Sequence, residues 1–204
     1  MNFNIEKKSG DIVVGIDEVG RGTLAGPVVA VAVYIKISLW NKFIKKYPDI
    51  IMIDDSKKIS KKIREKIYKI LINIVPFGVG AASVKEIEEK NILQASLIAM
   101  ERAYNSLKIN ADFVIVDGIN IPKISTKVKA IKNGDNKSIS IASASIIAKV
   151  IRDNLMKKLS NKYPDFFWNK NSGYGTKLHI DKIKLLGITP HHRKSFKPII
   201  KMLE

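Results

Sequence analysis

The sequence contains no cysteine and only three histidines among its 204 residues. Without thiols the chain can form neither disulfides nor thiolate metal sites, and it fits a reducing cytoplasm without requiring one. The longest apolar stretch, residues 26–35, is far shorter than the roughly 20 residues that a membrane helix needs. The first ten residues are polar and lack the apolar core of a signal peptide. We therefore expect a soluble, cytoplasmic protein that does not bind membranes.

The chain is strongly basic, with a formal net charge of +17 and 46% hydrophobic residues. That hydrophobic content suffices for the core of one compact domain. The positive charge favours a polyanionic partner such as nucleic acid. Because the lysines are spread along the whole chain, a general compositional drift toward Lys, Ile and Asn is the alternative explanation.

Apolar periodicity predicts an α/β domain with a five-stranded mixed sheet flanked by helices. The predicted strands are residues 11–16, 28–35, 77–82, 113–116 and 128–131. The predicted helices are residues 60–75, a helix that begins at the capping box Ser83 to Glu86, and residues 138–162 and 177–186. The first two strands form a hairpin, with Asp17 and Glu18 placed at its bend. The composition changes after Tyr163-Pro164, which predicts a small C-terminal cap.

Four carboxylates follow predicted strands: Asp17 and Glu18 after the first, Asp117 after the fourth and Asp135 after the fifth. Strand ends of one sheet lie close together, and burying adjacent carboxylates is costly unless a cation compensates. Oxygen ligands without cysteine or suitably spaced histidine favour Mg²⁺ or Mn²⁺, and phosphodiester hydrolysis is the matching chemistry. The alternative is that these acids are turn formers or helix caps.

Three further motifs suit a nucleic-acid substrate. Gly20-Arg21-Gly22 lets backbone amides approach a ligand, and the glycines around Tyr174 leave its ring free to stack. Cations that could hold phosphate lie in Asp55-Ser56-Lys57-Lys58 and in the segment around Arg193. Each has a purely structural alternative, namely a tight turn, a packed loop residue, a solvated helix start or packed histidines.

Taken together, these blocks resemble the ribonuclease HII family over nearly the whole chain. The resemblance is carried by residues 15–22 and 24–29, Asp55-Ser56-Lys57-Lys58, Val116-Asp117-Gly118, residues 141–153 and Gly173-Tyr174-Gly175-Thr176. It implies a ribonuclease H-like fold and an endonuclease that hydrolyses the RNA strand of RNA–DNA hybrids. It also implies incision of duplex DNA 5′ of single embedded ribonucleotides, giving 3′-hydroxyl and 5′-phosphate ends.

The resemblance assigns roles to individual positions. It implies two-metal-ion hydrolysis with Mg²⁺ or Mn²⁺ held by four acids, which are Asp17, Glu18, Asp117 and Asp135. Recognition of the ribose 2′-hydroxyl falls to Gly20, Arg21 and Gly22. Tyr174 would stack on the sugar of the following deoxynucleotide, while Lys57 and the basic C-terminal segment with Arg193 would hold phosphates. We expect a catalytic part at residues 1–165, a substrate-binding segment at 166–204 packed on it, and a monomer.

Some positions depart from the usual family pattern: Thr23 stands where proline is common, Asn133 where lysine commonly precedes Gly-Asp, and Ser143 where alanine is usual. Asp153 competes with Asp135 as the fourth acid. We favour Asp135 because a strand-end loop can face the other acids, whereas Arg152 and Lys149 lie close enough to ion-pair with Asp153.

Two alternatives remain for the whole chain. The first is a ribonuclease HIII-type enzyme, which carries an extra N-terminal domain, whereas about a dozen residues precede the first strand here. The second is a non-catalytic nucleic-acid-binding module with the same fold.

Overall fold

The computed structural model describes residues 1–54, 56 and 58–203. Its centre is a mixed sheet with the strand order β3-β2-β1-β4-β5. The strands are β1 (Val13–Val19), β2 (Val28–Tyr34), β3 (Phe77–Ala82), β4 (Phe113–Asp117) and β5 (Lys127–Ile131). β1, β2 and β3 form an antiparallel meander, while β4 runs parallel to β1 and β5 parallel to β4. The predicted α/β class and mixed five-stranded sheet are confirmed.

Helices cover both faces of this sheet. They are α1 (Asn4–Ser9), α2 (Ile37–Lys46), α3 (Lys61–Ile74), α4 (Val84–Leu107), α5 (Ile139–Lys162), α6 (Trp168–Asn171), α7 (Lys177–Leu186) and α8 (Lys197–Leu203), with short 3₁₀ turns at Pro48–Met52, Gly134–Asn136 and Pro164–Phe166. The predicted capping box at Ser83 is present, and α4 is kinked at Asn91, where φ is 65°. No helix in the described part of the chain is long and apolar enough to cross a membrane.

Alternating side chains of β2 build two core layers. Val31 and Val33 face a cluster formed with α2, α3 and α5, whereas Ala30 and Ala32 face a cluster formed with α4. A third cluster joins the C-terminal helices to the end of α5 and to the loop after β1; it contains Leu24, Ala25, Met156, Phe166, Trp168, Ile183 and Ile199. The C-terminal elements therefore pack directly on the loop that follows β1.

The structure corrects the predicted position of the acidic pair. Asp17 and Glu18 lie within β1 and not at a bend, because the ladder with β2 continues to the Val19–Val29 pair. This hydrogen bonding outweighs the low strand propensity of acidic residues. The start of α5 packs so closely on β1 that a Cβ atom on Gly15 would lie 2.6 Å from the Ile141 nitrogen. Asp17, on the same face of β1 as Gly15, thus points toward α5.

Candidate active site

Three carboxylates form one electrostatically coupled group at the end of β1. Asp17 is only 5% exposed, and the Glu18 side chain is also largely buried. Burial, followed by the charges of Glu18 and Asp117, raises the pKa of Asp17 well above its usual value. Burial also raises the pKa of Glu18, and the charge of Asp117 adds to this, while Arg21 opposes it. The structure therefore brings Asp17, Glu18 and Asp117 together.

Asp135 enters the same region through its neighbour in the turn after β5. The Gly134 amide donates a hydrogen bond of 2.6 Å to Asp117 Oδ1. Asp135 follows in the Gly134–Asn136 turn, where its side chain is buried and accepts a bond of 2.9 Å from Asn136 Nδ2. Asn133, at φ 55°, supplies the left-handed residue that opens this turn. The turn carrying Asp135 is thus fastened to Asp117.

The donor chemistry of this group fits a hard divalent cation. Glu18 Oε2 is buried and has no hydrogen-bond partner among the described residues, and burial together with neighbouring negative charge raises the pKa values of Asp17 and Glu18. A cation would compensate this charge, and the available ligands are all oxygen. In the described residues, however, no three Asp, Glu or His side chains converge as a finished metal site. These residues therefore fit a divalent cation in their negative charge and in their oxygen donor atoms.

The competing acid, Asp153, has a partner of its own. Lys149 Nζ lies 2.8 Å from Asp153 Oδ1, one turn apart on α5, in a partly buried ion pair. The predicted pairing with Lys149 is confirmed, but the expected pairing with Arg152 is wrong. The Arg152 side chain is buried and donates to the carbonyls of Pro27, Ala25 and Ser172 instead.

The Gly20-Arg21-Gly22 loop follows the acidic pair directly. Arg21 is half exposed and its Nη1 lies 3.2 Å from Glu18 Oε1, so its guanidinium bridges the loop to the acids. In the described part of the chain no protein group accepts a hydrogen bond from the amides of Arg21 or Gly22. These two N–H groups are available to a ligand.

Arg193 does not take the position expected of a phosphate contact. Its side chain is fully buried, and its guanidinium donates to the backbone carbonyls of Gly20, Arg21 and Gly26 at 2.7–3.0 Å. A direct contact between Arg193 and phosphate is therefore not supported. The reason is that residues 191–193 pair with the loop after β1, through the bridge between Ala25 and His192, which turns the side chain inward.

Tyr174 is 39% exposed, and Lys149 Nζ lies 5.6 Å from the centre of its ring. Its carbonyl accepts a bond of 2.8 Å from His179 Nδ1, and the carbonyl of neighbouring Gly173 accepts the Leu24 amide. The Tyr174 segment is thus tied both to the C-terminal helices and to the loop after β1.

Lys57 lies outside the described residues, but both its flanking segments approach the acids. The Ser56 hydroxyl lies 2.9 Å from that of Ser145, which in turn is close enough to Asp17 to oppose the rise in the pKa of that carboxyl. Lys58 contacts Asn136, next to Asp135. Sequence reasoning did not find Ser145 as a contact of the acids. The signal available in the sequence was a polar residue that recurs on the face of α5 packed against β1.

Glu6 is a second residue that sequence reasoning missed. It is buried in α1, and its Oε1 accepts bonds from the Ser138 hydroxyl at 2.7 Å and the Ser140 amide at 3.1 Å. It therefore holds the N-terminal helix on the start of α5, immediately after the turn that carries Asp135. A glutamate in a short polar N-terminal stretch gives no sequence signal of such burial.

Comparison with known proteins identifies the family. A family model described as Ribonuclease HII matches residues 14–199. Ribonuclease HII of Wolbachia sp. subsp. Brugia malayi (strain TRS) is 50% identical over 199 residues, which is 98% of this chain and 94% of that protein.

Solved structures of related proteins support the same family and fold. The crystal structure of ribonuclease H2 from Pyrococcus horikoshii OT3 matches with a TM-score of 0.75 at 30% identity, covering 94% of this chain and 96% of that one. Bst-RNase HIII in complex with Mn²⁺ has a TM-score of 0.77 at 18% identity, covering 97% of this chain and 71% of that one, and this similarity shows the fold alone. The chain belongs to the ribonuclease HII family and is a hydrolytic endoribonuclease of the ribonuclease H type.

Proposed function

We propose that this enzyme hydrolyses the RNA strand of RNA–DNA hybrids and incises duplex DNA 5′ of single embedded ribonucleotides, leaving 3′-hydroxyl and 5′-phosphate ends. The observation that carries the proposal is the adjacency of two features. Buried, mutually repelling carboxylates lie at the end of β1, and within four residues follows a loop with two amides that have no partner among the described residues. One feature suits phosphodiester hydrolysis and the other suits recognition of a ribose hydroxyl.

In this proposal Asp17, Glu18, Asp117 and Asp135 hold Mg²⁺ or Mn²⁺. When bound, these ions would activate a water molecule and offset the charge that develops on the phosphate. The Mn²⁺ complex of the ribonuclease HIII that shares this fold is consistent with such a cofactor. Ser145 would orient Asp17, and the Gly134 amide would orient Asp117.

Substrate choice would rest on the loop and on Tyr174. The amides of Arg21 and Gly22 would donate to the ribose, and the Arg21 side chain bridges to Glu18, so ribose recognition would couple directly to the acids. The exposed Tyr174 ring would stack on the sugar of the following deoxynucleotide. Lys57 would contribute a phosphate contact, and residues 166–204 would form the substrate-binding segment.

The fourth acid is tested by a matched pair of substitutions. Asp135→Asn should lower the turnover rate by about 100-fold or more, because it removes a charged ligand of the reacting site. Asp153→Asn should leave turnover within about threefold of the parent, since it breaks only a partly buried i,i+4 ion pair with Lys149. Single-turnover cleavage of a duplex with one ribonucleotide, with Mg²⁺ or Mn²⁺, measures both. The reverse ranking would assign the role to Asp153.

Junction recognition by Tyr174 has a separate test. Tyr174→Ala should weaken cutting at a single embedded ribonucleotide about tenfold, because a stacking contact is lost. Cutting within a long RNA–DNA hybrid should fall less, since most of its sites lack the junction. Tyr174→Phe keeps the ring and serves as the control. Equal losses on both substrates would count against junction recognition.

A further inference from the structure

Two buried arginines lie beneath the loop after β1, and neither is paired with a carboxylate of the described residues. Arg152 and Arg193 are both fully buried, whereas the arginine ion pairs in the described part of the chain involve Arg21 and Arg102. Burial lowers the pKa of Arg193 to about 9 and that of Arg152 to about 10, so both remain charged at neutral pH. Burying a cation without a counterion is unfavourable, which calls for an explanation of their positions.

Their guanidinium groups are occupied almost entirely by backbone carbonyls. Arg193 donates to the carbonyls of Gly20 at 2.7 Å, Arg21 at 2.9 Å and Gly26 at 2.7 Å. Arg152 donates from the other side to the carbonyls of Pro27 at 2.9 Å, Ala25 at 3.0 Å and Ser172 at 2.8 Å. The two forks therefore fix the carbonyls of the loop between β1 and β2 and tie them to the Tyr174 segment.

This arrangement determines where the amides point. A trans peptide directs its carbonyl and its N–H to opposite sides. Because Arg193 takes the carbonyls of Gly20 and Arg21, the amides of the following residues, Arg21 and Gly22, face away from Arg193. These two amides donate no hydrogen bond to any protein group among the described residues. The arginine that fixes the carbonyls thereby presents the amides to a ligand.

Thr23 connects the two arginines in this chain. Its buried hydroxyl accepts a bond of 2.8 Å from Arg152 Nη2 and lies 3.1 Å from the Gly20 carbonyl that Arg193 also contacts. Proline, common at this position in the family, could make neither bond. The side chain at this position therefore links Arg152 to the loop carbonyls.

We propose that Arg193, supported by Arg152 and Thr23, is a positioning residue that sets the ribose specificity of the Gly20-Arg21-Gly22 loop. It acts by holding the loop carbonyls inward. This fixes the outward amides where they would donate hydrogen bonds to a ribose 2′-hydroxyl. The inference rests on the proposed function, in which this loop recognises the ribose.

The test measures ribose preference in binding, apart from cleavage. Dissociation constants are measured in the Asp17→Asn background, so that neither duplex is cleaved. One duplex carries a single ribonucleotide, and the other carries a deoxyribonucleotide at the same position. We expect a preference of about tenfold for the ribonucleotide, matching one well-made hydrogen bond to it. Arg193→Lys keeps the charge but loses the fork, so the preference should fall below about threefold while affinity for the all-DNA duplex is unchanged.

Two comparisons keep the outcomes distinct. Arg102→Lys, at an exposed arginine that also donates to a carbonyl, is the matched control and should retain the preference. Thr23→Val removes only the hydroxyl and should lower the preference even if Arg193→Lys does not fold. A parent without ribose preference would overturn the proposed role of the loop. A parent with preference that both Arg193→Lys and Thr23→Val retain would overturn this inference alone.

Discussion

Two glycines of the loop after β1 lack a side chain for different physical reasons. Gly20 has φ +96°, and a Cβ atom there would lie 2.2 Å from Arg152 Nε. The fold itself therefore requires glycine at this position. In the part of the chain that the structure describes, no atom lies within 4 Å of the corresponding Cβ position at Gly22. Its missing side chain leaves open space beside the free amides, as close approach of a substrate would need.

This difference predicts opposite phenotypes for one substitution at two neighbouring positions. Gly20→Ala should lower the free energy of unfolding by roughly 2–4 kcal/mol through strain and displacement of Arg152. Gly22→Ala should change it by less than about 0.5 kcal/mol, yet lower kcat/KM about tenfold or more on a ribonucleotide-containing duplex. Thermal unfolding and steady-state cleavage measure both. A fully active Gly22→Ala enzyme would contradict ligand approach at this loop.

At the residue scale the sequence predicts types of chemistry better than the direction of side chains. The proximity of Asp17, Glu18 and Asp117 could be predicted, because each continues an apolar run and those runs form neighbouring strands. The burial of Arg193 could not, because it depends on the pairing of residues 191–193 with a loop far away in sequence. A basic residue in a basic segment has the same local sequence pattern whether it faces solvent or carbonyls.

At the scale of elements, the C-terminal helices are joined by a buried network of neutral histidines. Trp168 Nε1 donates to His179 Nε2 at 3.0 Å, and the two histidines meet Nε2 to Nε2 at 3.1 Å. His192 Nδ1 accepts the Thr189 amide, which places its proton on Nε2, while His179 donates from Nδ1 to the Tyr174 carbonyl. Protonating His192 on Nδ1 would break the bond from the Thr189 amide, and protonating His179 on Nε2 would break the bonds from Trp168 and His192.

The network predicts a loss of stability in mild acid. Burial, followed by the charges of His179 and His191, lowers the pKa of His192 from 6.5 to about 4. The unfolded chain then binds more protons than the folded one in this window. The contribution is complete above pH 6.5 and is lost as the pH falls toward 4, by an amount on the order of 2–3 kcal/mol.

Chemical unfolding across this pH range, for the parent and His192→Asn, checks the prediction. The variant should be less stable at pH 7 and show a flatter decline below pH 6.5. The raised pKa values of Asp17 and Glu18 act with the opposite sign, so the difference between variant and parent isolates the histidine. An equal decline in both proteins would exclude this network as the cause.

Most elements could be predicted from periodicity because local pattern and packing agree. Residues 77–82 and 177–186 match β3 and α7 in the structure, and the start of α4 follows its capping box. The end of β1 could not be predicted in this way, since the hydrogen-bonded ladder with β2 determines where the strand ends. α1 was not predicted either, because its fold depends on the distant contact between Glu6 and Ser138.

At the scale of the whole molecule, the parallel half of the sheet and the C-terminal cap both adjoin the loop after β1. β1, β4 and the turn after β5 carry the acids, while the cap holds the loop through Arg193 and itself carries the Tyr174 segment. Ribose recognition and hydrolysis would then be joined through only a few residues of backbone. The net charge of +17 would hold a duplex against this surface, with an affinity that falls as salt increases.

The central claim is that the buried acids at the end of β1 cut beside a ribonucleotide that the adjoining loop has recognised. The most direct measurement incubates parent and Asp17→Asn proteins with a duplex that carries one ribonucleotide, in Mg²⁺ or Mn²⁺, and follows both binding and cleavage. We expect the parent to make one cut on the 5′ side of the ribonucleotide. Asp17→Asn should bind with similar affinity and leave the duplex intact; cleavage by this variant at the parental rate would contradict the account.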